Sequence, residues 1–164
     1  MQLAKVCQEA ERFDDMAHAM RKVVKLCTAQ AKDLSNDERS LLVSAYKHLL
    51  DAHLTSWRAL SNAEKRESKE NLAEPKHEQN AELVKERRKV ENELLGICEQ
   101  LIRLINNFLI PNASDKESVD FYRKIKEDCY GYLLQTGAPK DIEAMMEPDP
   151  ITHADHRFRL VPLN

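Results

Sequence analysis

Glycine is nearly missing from this chain: there are three in 164 residues, alongside six prolines and only 5% aromatic side chains. With so little glycine there is no Gly-rich phosphate loop. Few aromatics set against 32% charged residues exclude a sheet protein and describe helices with solvated outer faces. The four cysteines, Cys7, Cys27, Cys98 and Cys129, are scattered without a CxxC pair and each falls within a helical pattern. They read as buried free thiols in a reducing compartment rather than as a disulfide or metal framework. The first residues carry no apolar run of the signal-peptide kind. No stretch approaches the ~20 apolar residues of a membrane span, so a cytoplasmic chain is expected. A net charge of -3 and a pI near 6.1 argue against general affinity for nucleic acid or an anionic membrane, although a local basic patch could still hold a phosphate. No serine or cysteine nucleophile has a base evident in the sequence, and no carboxylate pair sits in a recognisable catalytic string, so no enzyme is expected. His153, Asp155 and His156 lie in a Pro-rich segment with no cysteine nearby and are read as solvated, not as metal ligands. No cofactor is implied.

What is present is helical periodicity, punctuated. Leu3, Val6, Cys7 and Ala10 form one apolar stripe, continued with drift by Phe13, Met16, Met20, Val23 and Val24, which predicts one or two helices over 3–32. Ser35 as N-cap and Glu38 three residues on start the next helix, which carries Leu41, Leu42, Ala45, Leu49 and Trp57 to about residue 62. The polar, charge-dense stretch from there to about 80, broken by Pro75, is expected to end in a mobile loop. A long helix is predicted from about Ala81 to Ile110. Leu101, Leu104, Ile105, Phe108 and Leu109 recur at helical spacing until Pro111 ends the pattern. Ser114 with Glu117 forms a capping box for a last helix from about Lys116 to Thr136, stopped by Gly137 and Pro139. The expectation is an all-α array over 1–136, followed by an irregular tail over 137–164 in which Pro148, Pro150 and Pro162 exclude a regular helix.

The string Phe108 to Ser114, FLIPNAS, with Ala45 to Lys47 and Ser56 to Arg58, resembles the 14-3-3 family. That resemblance implies a dimeric all-helical adaptor for phosphoserine or phosphothreonine peptides, with this chain a shortened, divergent member that lacks the C-terminal helices. Lys47 corresponds to a family lysine that contacts phosphate, Lys124 to one lining the same groove, and Tyr132 to a groove tyrosine. The two gripping arginines of the family fall at Leu54 and Gly131, and His53 replaces an arginine beside the pocket. If each charge-assisted hydrogen bond contributes about 1.5 to 3 kcal/mol, losing two weakens phosphate binding by roughly two to four decades. Leu163 and Asn164 correspond to a peptide-contacting leucine and asparagine, though Pro162 opposes the helix that carries them in the family. The resemblance further implies a dimer interface with Arg12 against Glu93 of the other subunit and Asp15 against Lys89, each contact made twice. Homodimers or heterodimers with 14-3-3 relatives are both compatible with this pattern. So is a structural dimerisation partner that binds no phosphopeptide, or a truncated product without function.

Overall fold

Two helix ends near the N-terminus close in the same way. In each, the residue after the C-cap adopts a left-handed conformation, Glu11 at φ 53° and Ala31 at φ 50°. The next amide reaches back over the end, Arg12 N–H to the Cys7 carbonyl at 2.8 Å and Lys32 N–H to the Cys27 carbonyl at 2.9 Å. This is the Schellman arrangement, which satisfies last-turn carbonyls, here without the glycine that usually supplies it. The structure, a computed structural model, describes residues 1–70 and 77–137, with side chains over 1–67 and 81–137. The two closures separate helix α1 (Gln2–Glu9), α2 (Phe13–Ala29) and α3 (Asn36–Glu70); α4 (His77–Leu104) and α5 (Lys116–Thr136) follow. Among the described residues there is no strand, and the fold is all-α.

The start of α3 is as expected: Ser35 N–H donates to Glu38 Oε2 at 2.8 Å and Glu38 N–H to Ser35 Oγ at 3.3 Å, a complete capping box. α3 outruns its predicted end and continues through Glu70, and α4 begins at His77 rather than near 81. The polar stretch was expected to end in a mobile loop; its first part to residue 70 and its last residues from 77 are helix, and residues 71–76 lie outside the described residues. Charge density did not break the helix, because Glu, Lys, Arg and Ala are good helix formers.

Pro111 acts as expected, with an added adjustment. Its missing N–H and its ring disrupt the preceding turn, and the chain widens into a π turn over Ile105–Leu109, then tightens into a 3-10 turn over Ile110–Asn112. Asn112 Nδ2 donates to the Phe108 carbonyl at 2.7 Å. The cap of α5 differs from expectation. Asp115 caps the helix, its carboxylate accepting from Ser118 N–H at 2.7 Å. Ser114 turns away, its N–H and hydroxyl donating to Asp33 Oδ2 at 3.0 and 3.1 Å. Gly137 closes α5 at φ 65°.

Side-chain contacts fix the topology. Tyr46 meets Gln100, His53 meets Glu93, Trp57 meets Glu91 and Glu64 meets Arg87. Rising numbers on α3 thus pair with falling numbers on α4, which makes the two antiparallel. Arg39 meets Ser118, Asp51 meets Tyr132 and Arg58 meets Gln135, so α5 runs parallel to α3. The core gathers between α2, α3, α4 and α5 around Met16, Met20, Tyr46, Leu94, Ile105, Tyr122 and Leu133, none more than 1% exposed.

By length and composition, the helical stretch over 81–112 is apolar enough to cross a membrane, where the sequence was expected to contain no such run. Its Leu94, Cys98, Leu101, Leu104 and Ile105 are at most 4% exposed, so the stripe is occupied by the core. All four cysteines are free thiols; Cys7, Cys98 and Cys129 are buried and Cys27 half-buried.

Candidate functional site

A groove of about 460 Å³ opens between α3 and α5. Leu42, Leu50, Leu101 and Ile125 supply apolar walls; Lys47 and Tyr132 supply polar groups from opposite sides. Helix periodicity places these residues. Lys47 and Asp51 stand one turn apart on α3, and Asp128 and Tyr132 one turn apart on α5, so each pair projects from one face.

Polar contacts across the groove centre on Asp51. Lys47 Nζ donates to its Oδ2 at 2.8 Å, and the Tyr132 hydroxyl donates to its Oδ1 from the facing helix. Burial pushes the Asp51 carboxyl up, but the bonds from Lys47 and Tyr132 outweigh it and hold the group below the ordinary carboxylate range. The Tyr132 hydroxyl moves upward, first from burial and then from donating to that carboxylate. Lys124, one turn before Asp128, donates to it at 2.7 Å. Thus each of the two lysines named from sequence is held by a carboxylate one turn along its own helix; Lys47 lines the groove, and Lys124 is joined to it through the lining Asp128.

Several sequence expectations change here. Leu54 does not present itself to the groove as an arginine would; it is 5% exposed and belongs to the core. Helices cross at an angle, so a face open at Lys47 is covered two turns later. His53 does not sit beside the pocket either. Its Nε2 lies 3.6 Å from Glu93 on α4, and its Nδ1 is 2.8 Å from the Leu49 carbonyl. Gly131 does line the groove, and a Cβ there would meet nothing within 4 Å. Leu163 and Asn164 lie outside the described residues, as do His153, Asp155 and His156. Among the described residues no three His, Cys, Asp or Glu side chains converge to hold a metal.

One residue joined to the groove lining was missed. Arg58 Nη2 donates to Gln135 Oε1 at 2.6 Å and so bridges α3 to α5. Its signal was present, because eleven residues is close to three helical turns and places Arg58 within about 20° of Lys47.

The interface candidates have partners within the chain. Arg12 pairs with Asp15 at 2.5 Å and Lys89 with Glu86 at 3.0 Å, all four side chains at least 50% exposed. Glu93 faces His53. Arg12 and Asp15 belong to the start of α2, and Lys89 and Glu93 to α4. On α1, Leu3 and Val6 are 60% and 53% exposed.

Among the described residues, five α-helices with a groove between the third and fifth, lined by aliphatic side chains and by Lys47 and Tyr132, are the arrangement expected of an N-terminal 14-3-3 helix array. A family model described as 14-3-3 protein matches residues 3–147. The chain belongs to the 14-3-3 family. It is 43% identical over 148 residues to 14-3-3-like protein 1 of Caenorhabditis elegans, a match that covers 90% of this chain and 55% of that protein. To 14-3-3-like protein 2 of the same organism it is 40% identical over 145 residues, 88% of this chain and 54% of that protein. Against 14-3-3 protein zeta of Xenopus laevis the figures are 43% over 138 residues, 84% and 52%. The chain therefore spans about half the length of the curated relatives it matches.

Proposed function

We propose that this chain is a non-enzymatic, cytoplasmic adaptor that uses the α3–α5 groove to bind phosphoserine or phosphothreonine segments of partner proteins, with weakened phosphate affinity. The observation that carries this reading is the convergence of Lys47 Nζ and the Tyr132 hydroxyl on one anionic group, the Asp51 carboxylate, at an apolar-walled groove. Two donors that meet on a carboxylate can meet on a phosphate oxygen. Weakness follows from what is missing: Gly131 offers no side chain, and Leu54 is in the core. Lys124 and Arg58 supply further cations, joined to the groove-lining Asp128 and Gln135. The test is fluorescence anisotropy of a phosphoserine peptide and its serine counterpart at high protein concentration. The reading requires a preference for the phosphorylated form that Lys47→Glu abolishes. Equal binding of the two peptides overturns it.

Dimerisation is part of the proposal. Arg12, Asp15 and Lys89 project into solvent, and Leu3 and Val6 on α1 are exposed, which suits an isologous interface with a second copy or a relative. A second reading, a dimerisation partner that holds no phosphopeptide, draws support from the burial of Leu54.

A further inference from the structure

We propose that Asp51 is an internal counter-anion that occupies the phosphate place of the groove and sets its selectivity against dianions. The inference rests on the groove reading above and goes beyond it by assigning a residue that opposes the ligand.

The argument is one of donors and charge. A tyrosine hydroxyl has a single proton to donate, and that of Tyr132 is committed to Asp51 Oδ1. A phosphate dianion brings acceptors only, so it gains nothing from Tyr132 until that bond breaks. Lys47 retains two further N–H groups, but its charge is already matched by Asp51 Oδ2 at 2.8 Å. A phosphate that uses both donors must stand close to the same carboxylate, whose depressed titration keeps it ionised at neutral pH. Like charges at that range repel. The facing helix repeats the device, with Asp128 on Lys124 at 2.7 Å. Asp51 differs from Asp128 in holding both walls at once, because Lys47 is on α3 and Tyr132 on α5. It acts as a latch between the walls as well as a competitor.

The prediction is graded. Asp51→Ala frees both donors. Asp51→Asn removes the charge but leaves an oxygen that still accepts from Tyr132, so it frees Lys47 alone. The full chain and these two variants, checked for unchanged melting, are titrated with a degenerate peptide pool centred on phosphoserine and with the same pool centred on serine. Asp51→Ala should bind the phosphoserine pool at least tenfold more tightly than the unaltered chain. Asp51→Asn should fall between them, the serine pool should not change, and adding Lys47→Glu to Asp51→Ala should cancel the gain. If the unaltered chain binds phosphoserine through Lys47 and Asp51→Ala binds it no better, the counter-anion role is overturned while the groove reading stands. If no folded variant discriminates the two pools, both are overturned, because the groove then takes no phosphate even with its own anion removed.

Discussion

Gly131 and Leu54, equivalent as two absent guanidinium groups in the sequence, are opposite in the structure. Gly131 borders the groove with open space where a Cβ would be. Gly131→Arg should therefore tighten phosphopeptide binding about tenfold and also stabilise α5 by up to about 1 kcal/mol, since an interior glycine weakens a helix. Anisotropy and urea denaturation read the two effects. Leu54→Arg should instead cost about 3 kcal/mol, by removing a core leucine and desolvating a charge. Any affinity gain from it would be offset by unfolding. A more consequential residue is Asp33, which no functional pattern in the sequence singled out. Its carboxylate accepts from Arg39 at 2.7 Å, the Tyr122 hydroxyl at 2.8 Å and both donors of Ser114, and so joins the start of α3 to α5. Burial raises the Asp33 carboxyl, but the bonds from Ser114, Tyr122 and Leu34 prevail and hold it below its ordinary value. A depressed folded-state value stabilises the fold above the unfolded carboxylate range, near pH 4, and the contribution is lost as pH falls through the folded value. Asp33→Asn should flatten the stability loss below about pH 4 and leave the slope between pH 5 and 7 unchanged. Asp33→Ala, which leaves the half-buried Arg39 without its carboxylate, should cost roughly 3 kcal/mol at neutral pH.

At the scale of elements, the ends of α1 and α2 carry a removable strain. Left-handed backbone at a non-glycine residue costs about 1 to 2 kcal/mol, and Ala31 has no side-chain polar group to offset it. Ala31→Gly should stabilise the chain by roughly 0.5 to 1 kcal/mol after the added freedom of the unfolded glycine is counted. Denaturant midpoints with an unchanged slope would establish that the effect lies in the native turn. The α3–α4 pair has a different design. Arg87 holds Glu64 at 2.7 Å and also pairs with Glu91, which accepts from Trp57 Nε1 at 2.8 Å. This polar clamp sits where the sequence is too charged for an apolar seam, and it explains how α3 stays helical beyond residue 62.

For the whole molecule, the proposed dimer is the property most open to measurement. Exposed ion pairs contribute little alone, so Arg12 and Lys89 lose little when they exchange intrachain for intersubunit partners. Sedimentation should show a dimer that Arg12→Glu dissociates and Glu93→Arg, added to it, partly restores. A strict monomer at tens of micromolar that also fails to bind a relative would end the dimer proposal.

The sequence by itself determined the boundaries that a strong local signal marks, the start of α3, the break at Pro111 and the stop of α5, but not the end of α3 or the start of α4. Ser35 with Glu38, Pro111 and Gly137 act within a few residues of themselves, and local chemistry of that range is written in local sequence. It also determined the helical class, through scarce glycine and sustained periodicity. Tertiary structure alone decided which way faces point. Periodicity gives an angle around a helix but not the neighbour found at that angle, and α3 has α2, α4 and α5 around it. Leu54 therefore went to the core and His53 to α4. Ser114 was drawn from its capping role by Asp33, a residue 81 positions away, and Asp51 closed on Tyr132 across the same separation. Pairings at such distances depend on how whole helices dock, which no local spacing encodes.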